Sequence, residues 1–492
     1  MRILYIDIDS LRPDHLGCYG YHRPTSPNID ELARQAVRFD NMYVSDAPCL
    51  PSRTALWSGR CGFRTGVVGH GGTTATPFSE GPSREFRDLF GTTGWMPALR
   101  DLGYKTITVS SFAERHSAWH WYAGFNEIYN PGGGGLEDAH EINAIAMPWL
   151  KQNGKSDNWF LHLNYWDPHT PYSVPESFGN PFEPAPLPSW LTSTTWQRGW
   201  DGYGPHSPQE PHGYGGSDSF YLPHHRFPLQ LDSPEKMRQW INGYDVAIRY
   251  VDEHIGQIVD QLDKLGVLDE TIIMIGADHG ENQGELNVWG DHQTADHTTC
   301  RVPLIVRWPD LIKQARVDKG LYYQFDWMAT MIELLGGQAH ADWDGRPFTD
   351  KFRAGMSAGR DYLVVSQGAW ACQRGIRFNY NGQGHICLQT YHDGHKMLEP
   401  TMLFNLTQDP HQQQDLSRLY PQLVEESLSY LADWTSQMIR TSPTNVDPLM
   451  TVLREGGPFH TRGQLAEYLE RLKNTGRAHH AKRLAERHAS EL

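Results

Sequence analysis

Short runs of apolar residues recur along this chain and alternate with segments of helical periodicity. In chain order the runs read ILYIDI, KTITVSS, WFLHLNY, TIIMIGAD and PLIVRW. Continuous apolar runs of this length are typical of strands that are buried on both faces of a mostly parallel sheet. The pattern therefore predicts an α/β fold in which a doubly wound sheet is flanked by helices.

Two helices between these runs carry boundary signals. In SPNIDELARQAV, Ser26 is predicted to cap the helix and Pro27 to occupy its first position. A second helix is predicted from Ser233 and Pro234 to Gly266, with apolar residues three or four positions apart. It leads directly into TIIMIGAD, so helix and strand alternate as a doubly wound sheet requires.

The segment at 173–232 departs from this alternation. It is rich in Pro, Gly, Trp, Tyr and His and shows little periodicity, and a long irregular segment inside a compact domain is usually functional. We interpret it as a lid over a substrate or as a subunit contact rather than a flexible surface excursion. That interpretation depends on aromatic side chains that are unfavourable to leave in water, namely Trp190, Trp196, Trp200, Tyr203 and Tyr214.

A second change of pattern follows residue 370. Short strands, GIRFNYNG and HICLQTY, precede a helix and a basic amphipathic stretch at the C-terminus. We therefore divide the chain into an α/β domain at 1–370, which contains the insertion, and a smaller α+β subdomain at 371–492. Its last helix is expected to pack on the fold or to join copies of the chain into a homo-oligomer, rather than to bind nucleic acid.

Composition narrows the classes of function. The 492 residues are 39% hydrophobic, enough for a large core, and carry a formal net charge of −15. This charge argues against nucleic acid as a partner, because phosphate binding requires clustered Lys and Arg. The chain has no apolar stretch of about 18 residues, so no membrane span is expected. The N-terminus lacks a secretory or transit pattern and the six cysteines form no CxxC pair, which favours a cytoplasmic, reducing location.

Acidic residues and a histidine gather at the predicted ends of two strands. Asp7 and Asp9 lie in DIDSLRPD, and Asp278 and His279 follow the run TIIMI closely. Open α/β sheets place ligands at the carboxyl ends of their strands, and neighbouring carboxylates repel one another unless a cation or hydrogen bonds neutralise them. Either pair alone is equally compatible with a capping or loop role, whereas together they indicate a shared divalent metal ion.

Cys49 lies between two prolines in SDAPCLPSRTALWSGR, just before a helix that Pro51 is predicted to begin. A helix N-terminus lowers the pKa of a thiol and binds oxyanions through its free N–H groups. We therefore predict a lowered pKa for the Cys49 thiol, with Arg53 one helical turn away. The alternative, a buried structural cysteine in a turn, leaves Arg53 unexplained.

The run of Cys49, Pro51, Ser52 and Arg53 resembles the C-x-P-S-R signature of the sulfatase family. The resemblance also covers IDSLRPDHLGCYGY, WDPHTPY, GADHGENQGE, RVPLIVRWP and MLFNLTQDPHQQQDL. Motifs in the same order across most of the chain are far more specific than one short pattern. The resemblance implies an alkaline-phosphatase-like α/β fold with a mixed sheet.

The resemblance also implies a mechanism. A maturation enzyme would convert Cys49 to formylglycine (3-oxoalanine), and one hydroxyl of the hydrated aldehyde would attack sulfur as the ester alcohol departs. The second hydroxyl, once deprotonated, would collapse to the aldehyde and expel inorganic sulfate. The metal of the family, most often Ca²⁺ with Mg²⁺ or Mn²⁺ as alternatives, would polarise the sulfate oxygens.

Residue roles follow from the matched motifs. Arg53 would steady the nucleophile, and His169 in WDPHTPY would help the leaving group depart. Many sulfatases have paired aspartates near the N-terminus, whereas Ser10 occupies the second position here. That ligand is therefore weaker, water-mediated or supplied by Asp7. The implied metal ligands are Asp9, Ser10, Asp278, His279 and the modified Cys49.

Two active-site lysines of the family are also missing. The run SSFAERH at 110–116 replaces the usual GKWH, and WGDHQTADHTTC places His292 near the second lysine position, as a catalytic candidate. Each histidine among these substitutes is equally compatible with a structural role in an ordinary polar network. The candidate substrate-binding residues are His70, Ser111, Arg115 and His116.

These features favour hydrolysis of a sulfate ester or sulfamate on a small saccharide, because aromatic faces stack on sugar rings and basic groups pair with sulfate. One alternative is a phosphonate or phosphate ester hydrolase of the same superfamily. The loss of two lysines favours sulfate, because phosphate esters carry more charge. A non-catalytic binding protein with the same fold is the other alternative, and the intact signature argues against it.

Overall fold

The computed structural model describes residues 1–80, 89–213 and 224–492. Its strands are β1 (Arg2–Ile8), β2 (Val37–Tyr43), β3 (Asp46–Ala47), β4 (Lys105–Val109), β5 (Glu127–Tyr129), β6 (Trp159–Tyr165), β7 (Thr271–Gly276), β8 (Asn282–Gln283), β9 (Trp289–Asp291), β10 (Arg301–Arg307), β11 (Arg316–Tyr323), β12 (Tyr362–Gln367), β13 (Cys372–Tyr380), β14 (Gln383–His392) and β15 (Thr401–Asn405). Its α-helices are α1 (Pro27–Ala33), α2 (Cys49–Ser58), α3 (Gly62–Thr65), α4 (Leu89–Thr93), α5 (Trp95–Asp101), α6 (Phe112–Arg115), α7 (Ala139–Asn153), α8 (Ser193–Asp201), α9 (Pro234–Lys264), α10 (His297–Cys300), α11 (Gln324–Leu334), α12 (Thr349–Arg353), α13 (Pro421–Thr441), α14 (Pro448–Arg454), α15 (Leu465–Asn474) and α16 (Ala478–Arg487).

The larger sheet forms the centre of the molecule. Its strands lie in the order β11-β2-β10-β7-β1-β6-β4-β5. β1 pairs in parallel with β6 and β7, while β10 runs antiparallel to β2 and β7. Every residue of β1, β6 and β7 is buried, which is why these strands are mostly apolar rather than alternating. This mixed sheet with flanking helices confirms the predicted α/β fold.

Serines precede both predicted helices, but only one of them caps its helix. Ser233 caps α9, where its side chain accepts a hydrogen bond from the Lys236 N–H. Ser26 makes no capping bond to α1, because its hydroxyl donates to Asp30 at 3.0 Å and accepts from the Gly17 N–H at 2.9 Å. The predicted Ser26 cap is therefore wrong, since a tertiary contact with the turn at Gly17 takes the oxygen that would cap the helix.

The smaller sheet joins the C-terminal subdomain to the start of α2. Its strands lie in the order β15-β14-β13-β12-β3. β3 pairs in parallel with β12 through Asp46 and Ala47, just before Cys49. Because β3 and β12 both precede residue 371, the predicted boundary excludes two strands of this sheet. Composition did not reveal them, since strand pairing depends on contacts between segments that are distant along the chain.

The insertion at 173–232 contains α8 and packs against the C-terminal helices. Tyr203 is buried in an apolar cluster with residues of α15 and α16. The amphipathic C-terminal stretch, predicted as one packed or oligomer-forming helix, is the pair α15 and α16, which packs within the chain. Glu210 of the insertion forms ion pairs with Arg471 and Arg477. The lid interpretation stays a prediction, and Tyr214 lies outside the described residues.

Two further features concern possible membrane spans and the state of the cysteines. Within the part of the chain that the structure describes, no helix combines the length and the hydrophobicity needed to cross a bilayer. All six cysteines are free, and five of them are buried. The exception, Cys18, is half-buried.

Candidate active site

The carboxyl ends of β1 and β7 meet the N-terminus of α2. Asp9 follows β1, Asp278 and His279 follow β7, and Cys49 is the first residue of α2. Because β1 and β7 are adjacent and parallel, their carboxyl ends lie at the same edge of the sheet. These four residues each offer one ligand atom, and the four atoms all lie within 4.8 Å of one another. We refer to them as the Cys49 cluster.

Arg53 connects three carboxylates at this edge. Its Nε donates to Asp7 at 2.9 Å, and its Nη1 donates to Asp9 at 2.9 Å and to Asp278 at 2.6 Å. Three buried carboxylates around one guanidinium leave excess negative charge. Burial and the repulsion of Asp9 and Asp7 raise the pKa of Asp278, although Arg53 opposes this change. A divalent cation beside these carboxylates would relieve the repulsion.

His279 presents one ring nitrogen to the cluster. Its Nδ1 donates to the Gly280 carbonyl at 2.7 Å, which leaves the Nε2 lone pair free to accept. That Nε2 lies 3.0 Å from the Cys49 Sγ and 3.3 Å from Asp278 Oδ2. Burial lowers the pKa of His279 to about 4. The ring is therefore neutral near pH 7, the form in which histidine binds a metal.

The donor set fits a hard divalent cation. Carboxylate oxygens with one imidazole nitrogen suit ions of the calcium, magnesium or manganese class. Two buried oxygens nearby, Asp7 Oδ1 and Glu281 Oε2, have no hydrogen-bond partner among the described residues. Because unpartnered buried carboxylate oxygens are unfavourable, this arrangement favours a cation as the missing partner.

Ser10 and Asp7 orient the neighbouring side chains through hydrogen bonds. Ser10 has a left-handed φ of 59°, its N–H donates to Asp278 at 3.2 Å and its hydroxyl donates to Asp9 at 2.9 Å. Asp7 accepts from Arg53 and lies 3.4 Å from His162 Nε2. Coordination of a metal by Ser10 or Asp7 stays a prediction.

The thiol of Cys49 shows the opposite pKa shift from the one predicted. Burial and the charges of Asp9 and Asp278 raise its pKa well above the usual value, and Arg53 only partly opposes them. The prediction of a lowered pKa is wrong because the helix N-terminus places the thiol among buried carboxylates. A protonated thiol is a poor nucleophile, so this environment argues against attack by a Cys49 thiolate.

His292 and His169 extend the site beyond His279. The ring centre of His292 lies 4.0 Å from that of His279 and 5.7 Å from that of His169. The Nδ1 of His169 donates to the Thr170 carbonyl at 2.6 Å, so its Nε2 is available to a ligand. Burial lowers the pKa of both His292 and His169. The structure thus brings both predicted catalytic histidines close to the Cys49 cluster.

Three of the four predicted substrate-binding residues also lie here. His70 and His116 each place a ring nitrogen within 4.8 Å of the Cys49 sulfur. The Nε2 atoms of both rings have no hydrogen-bond partner within the described ranges. The Arg115 guanidinium lies 5.2 Å from the Trp166 ring centre, and its charge opposes the rise in the Cys49 pKa. These side chains surround the sulfur with imidazole nitrogens and one cation.

Ser111, the fourth of these residues, is bound within the protein. Its hydroxyl donates to Glu137 at 2.9 Å and accepts from Trp166 Nε1 and the Gly135 N–H, both at 3.0 Å. These bonds use the donor and both lone pairs of a hydroxyl. Ser111 therefore supports the loop beside the site, and its contact with substrate stays a prediction.

His460 and Lys396 of the C-terminal subdomain, and Trp370 just before it, were missed by the sequence analysis. His460 Nε2 lies 3.0 Å from His70 Nδ1, and the His460 ring stacks on Trp370 with centres 4.4 Å apart. Lys396 Nζ lies 5.7 Å from the Trp370 ring centre, and burial lowers the pKa of this lysine to about 7 although Asp291 opposes the change. No motif marks these residues, because they come from separate loops.

The chain resembles curated sulfatases at low identity. It is 25% identical over 350 residues to iduronate 2-sulfatase of Homo sapiens, a match that covers 62% of this chain and 59% of that protein. It is 23% identical over 402 residues to N-acetylglucosamine-6-O-sulfatase of Bacteroides thetaiotaomicron, covering 70% of this chain and 69% of the relative. The chain thus spans less than two thirds of the length of the human relative.

Solved structures share the fold. A protein in complex with its substrate D-glucosamine-2-N,6-O-disulfate aligns with a TM-score of 0.71 at 18% identity, over 90% of this chain and 99% of that chain. A phosphonate monoester hydrolase of Agrobacterium radiobacter aligns with a TM-score of 0.65 at 18% identity, over 89% and 96% of the two chains. Finally, the family model described as Sulfatase matches residues 2–337. Because that match covers more than half of the chain and includes the Cys49 cluster, this protein belongs to the sulfatase family.

Proposed function

We propose that this protein hydrolyses a sulfate ester, or a sulfamate, to an alcohol or amine and inorganic sulfate. The observation that carries the proposal is the setting of Cys49. It begins a helix, Arg53 lies one turn further along, and ligand atoms of Asp9, Asp278 and His279 lie within 4.8 Å of it. The raised thiol pKa supports a nucleophile other than the thiolate.

A maturation enzyme is proposed as the partner that converts Cys49 to formylglycine. In that form residue 49 would offer the hydroxyl of a hydrated aldehyde as nucleophile, and a divalent cation, proposed to be Ca²⁺, would polarise the sulfate oxygens when bound. Asp9, Asp278 and His279 would hold the cation together with residue 49. The excess negative charge of the buried carboxylates supports this assignment.

The other side chains orient the reacting groups and move protons. Arg53 is held by three carboxylates, and its Nη2 has no hydrogen-bond partner among the described residues, so it is placed to steady negative charge near residue 49. The Thr170 carbonyl binds the Nδ1–H of His169. Because Nδ1 keeps the ring proton in that bond, His169 would protonate the leaving oxygen only after its Nε2 has taken up a second proton, that is, as an imidazolium.

Neutral imidazoles support sulfate over phosphate. Burial lowers the pKa of His70, His116 and His292, so near pH 7 these rings offer hydrogen bonds rather than positive charge. A sulfate ester carries a single negative charge, whereas a phosphate monoester carries about 1.5 to 2 at neutral pH. A site without the two family lysines can balance the single charge of a sulfate ester better than the larger charge of a phosphate monoester.

We propose a small sulfated saccharide as the substrate. Trp370 lies beside the basic side chains of Lys396 and His460, and aromatic and basic groups together suit a sugar with an anionic substituent. Relatives named iduronate 2-sulfatase and N-acetylglucosamine-6-O-sulfatase support the same substrate class. The half-buried Trp370 and His460 would contact parts of the sugar beyond the sulfate that is cleaved, with Lys396 behind them.

Peptide mass spectrometry of residues 45–60, together with assays of an aryl sulfate and an aryl phosphonate ester, tests the proposal. The protein should be produced with a formylglycine-generating enzyme. We expect a formylglycine mass at position 49 and preferential sulfate release. Cys49→Ala should lower activity by on the order of 10⁶-fold while the fold is kept, whereas Cys61→Ala, at another buried free cysteine, should retain activity. Activity in Cys49→Ala equal to that of the parent would overturn the mechanism.

A further inference from the structure

A second group of histidines lies where the turn after β14 meets the residues after α16. His392 ends β14, His395 follows it in the next turn, and His488 and Glu491 follow α16. One ligand atom from each residue lies within 4.8 Å of the others. We refer to these four residues as the C-terminal histidine cluster. It joins two segments that are almost one hundred positions apart, with |i−j| of 96 for His395 and Glu491.

The carboxylate of Glu491 lies at the centre of this cluster. Its Oε1 lies 2.9 Å from His392 Nε2 and 2.5 Å from His488 Nδ1, and its Oε2 lies 2.9 Å from His395 Nε2. The side chains are 10% exposed for His392, 0% for His395, 7% for His488 and 18% for Glu491. Three imidazoles therefore converge on one carboxylate in a largely buried pocket.

Asp393 holds His488 from outside the cluster. Its Oδ1 lies 2.8 Å from His488 Nε2, and its Oδ2 accepts from Arg487 at 2.7 Å. A carboxylate on the far nitrogen of an imidazole is the usual outer support of a metal-binding histidine, because it fixes the ring and leaves the other nitrogen to the metal. In His488 that other nitrogen is Nδ1, the atom that faces Glu491.

We propose that the C-terminal histidine cluster binds a zinc ion through His395, His488 and Glu491, with His392 as the fourth ligand. Zinc accepts imidazole nitrogens and carboxylate oxygens as well as thiolates, and it is tetrahedral where four protein side chains bind it. The spacings here are His-x-x-His at 392–395 and His-x-x-Glu at 488–491. The Gly394 N–H donates to His392 Nδ1 at 3.0 Å. To bind the ion through Nε2, which faces Glu491, His392 must carry its ring proton on Nδ1, so the bond from Gly394 would be lost.

The bound ion would tie the C-terminal residues to the turn that carries Lys396. His395 precedes Lys396 directly, and the Lys396 Nζ donates to the Gly394 carbonyl at 3.2 Å within the same turn. Zinc at the cluster would therefore hold the turn that presents Lys396 toward Trp370. This proposal does not depend on sulfatase activity, since zinc binding is measured directly.

Zinc stoichiometry of the full chain tests the proposal. The experiment uses a Cys49→Ala, Asp278→Asn background, which removes two ligands of the Cys49 cluster, and protein treated with a chelator before dialysis against Zn²⁺. We expect one zinc per chain, and a visible absorption spectrum typical of tetrahedral Co²⁺ when cobalt replaces zinc. No zinc retained in this background, or a spectrum typical of octahedral cobalt alone, would overturn the proposal.

Substitutions at the proposed ligands test which residues bind the zinc ion. His395→Ala and Glu491→Gln should weaken zinc binding by at least about 100-fold, and Asp393→Asn by about 10- to 100-fold. His479→Ala is the matched control, because His479 is exposed on α16 and should leave the affinity unchanged. Equal zinc affinity in His395→Ala and the parent would refute the assignment. Where a ligand variant fails to fold by circular dichroism, the Asp393→Asn titration decides, and an unchanged affinity there would count against the site.

Discussion

The Cys49 cluster and the C-terminal histidine cluster both bring histidine and carboxylate side chains within 4.8 Å of one another, but in opposite proportions. The Cys49 cluster itself has two aspartates and one histidine, with His70, His116 and His292 around the sulfur, whereas the C-terminal histidine cluster has three histidines and a single carboxylate, that of Glu491. The first cluster is almost fully buried, while the second retains up to 18% exposure of a side chain. Oxygen-rich and nitrogen-rich ligand sets prefer different cations, so one chain can hold two distinct ions.

The two clusters also differ in charge balance. Arg53 is the counter-ion of three carboxylates, and the excess negative charge makes a divalent cation part of the expected resting state. In the C-terminal histidine cluster, His488 lies between Glu491 and Asp393, so protonated imidazole already balances the carboxylates without metal. Loss of the bound ion should therefore leave a larger unbalanced charge at the Cys49 cluster than at the C-terminal histidine cluster.

The largest expected effect is that of Asp278→Ala. Removing this carboxylate should eliminate the divalent metal of the Cys49 cluster and lower kcat/KM by at least about 10³-fold, because one ligand and one partner of Arg53 are lost together. Elemental analysis and sulfate release measure the two effects. Asp263→Ala, at an exposed position of α9, is the control that should retain both. Stoichiometric metal in the Asp278→Ala protein would show that the metal is held elsewhere.

A smaller effect is expected from His169→Gln. If the imidazole protonates the leaving oxygen, kcat/KM should fall by about 10²- to 10⁴-fold for alkyl sulfates. The loss should be much smaller for aryl sulfates with acidic leaving groups, which depart without a proton. A series of esters with graded leaving-group pKa values measures the dependence, with the exposed His22→Gln as control. An equal loss across the series would contradict proton donation by His169.

The smallest effect is on the pH dependence of stability in metal-free protein. Burial lowers the pKa of His120 and His460 to about 4. Because the unfolded chain binds protons first, below its own pKa of about 6.5, these groups should destabilise the fold as pH falls from about 6.5 toward 4. The expected slope is at most about 1.4 kcal/mol per pH unit for each group.

His488 should respond with the opposite sign. Burial opposes its charged form, but Asp393 and Glu491 outweigh burial and raise its pKa to about 9. The stability it contributes is present below about pH 6.5 and is lost as pH rises toward 9. Urea unfolding at a series of pH values measures the free energy of unfolding on both the acid limb, below about pH 6.5, and the alkaline limb, above it. His460→Gln should reduce the slope of the acid limb and His488→Gln that of the alkaline limb, and the reverse assignment would contradict the two environments.

The sequence predicted the features that depend on local pattern. Continuous apolar runs indicated the buried strands of the larger sheet, and Ser233 with Pro234 marked the start of α9. The order of the motifs was sufficient to place Cys49, Arg53, Asp9 and Asp278 in one site. The strand and helix predictions hold because hydrophobic periodicity follows from the geometry of a single strand or helix, whereas the site prediction follows from the resemblance to the sulfatase family.

The sequence by itself therefore determined the fold class, the family and most of the side chains around Cys49. Only the tertiary structure decided the rise in the Cys49 pKa, the pairing of β3 with β12, the approach of His460 to His70, and the convergence of His395 and His488 on Glu491. Each of these depends on burial or on contacts between segments far apart in the chain. Electrostatic and ligand environments are set by such distances in space, which local sequence patterns do not contain.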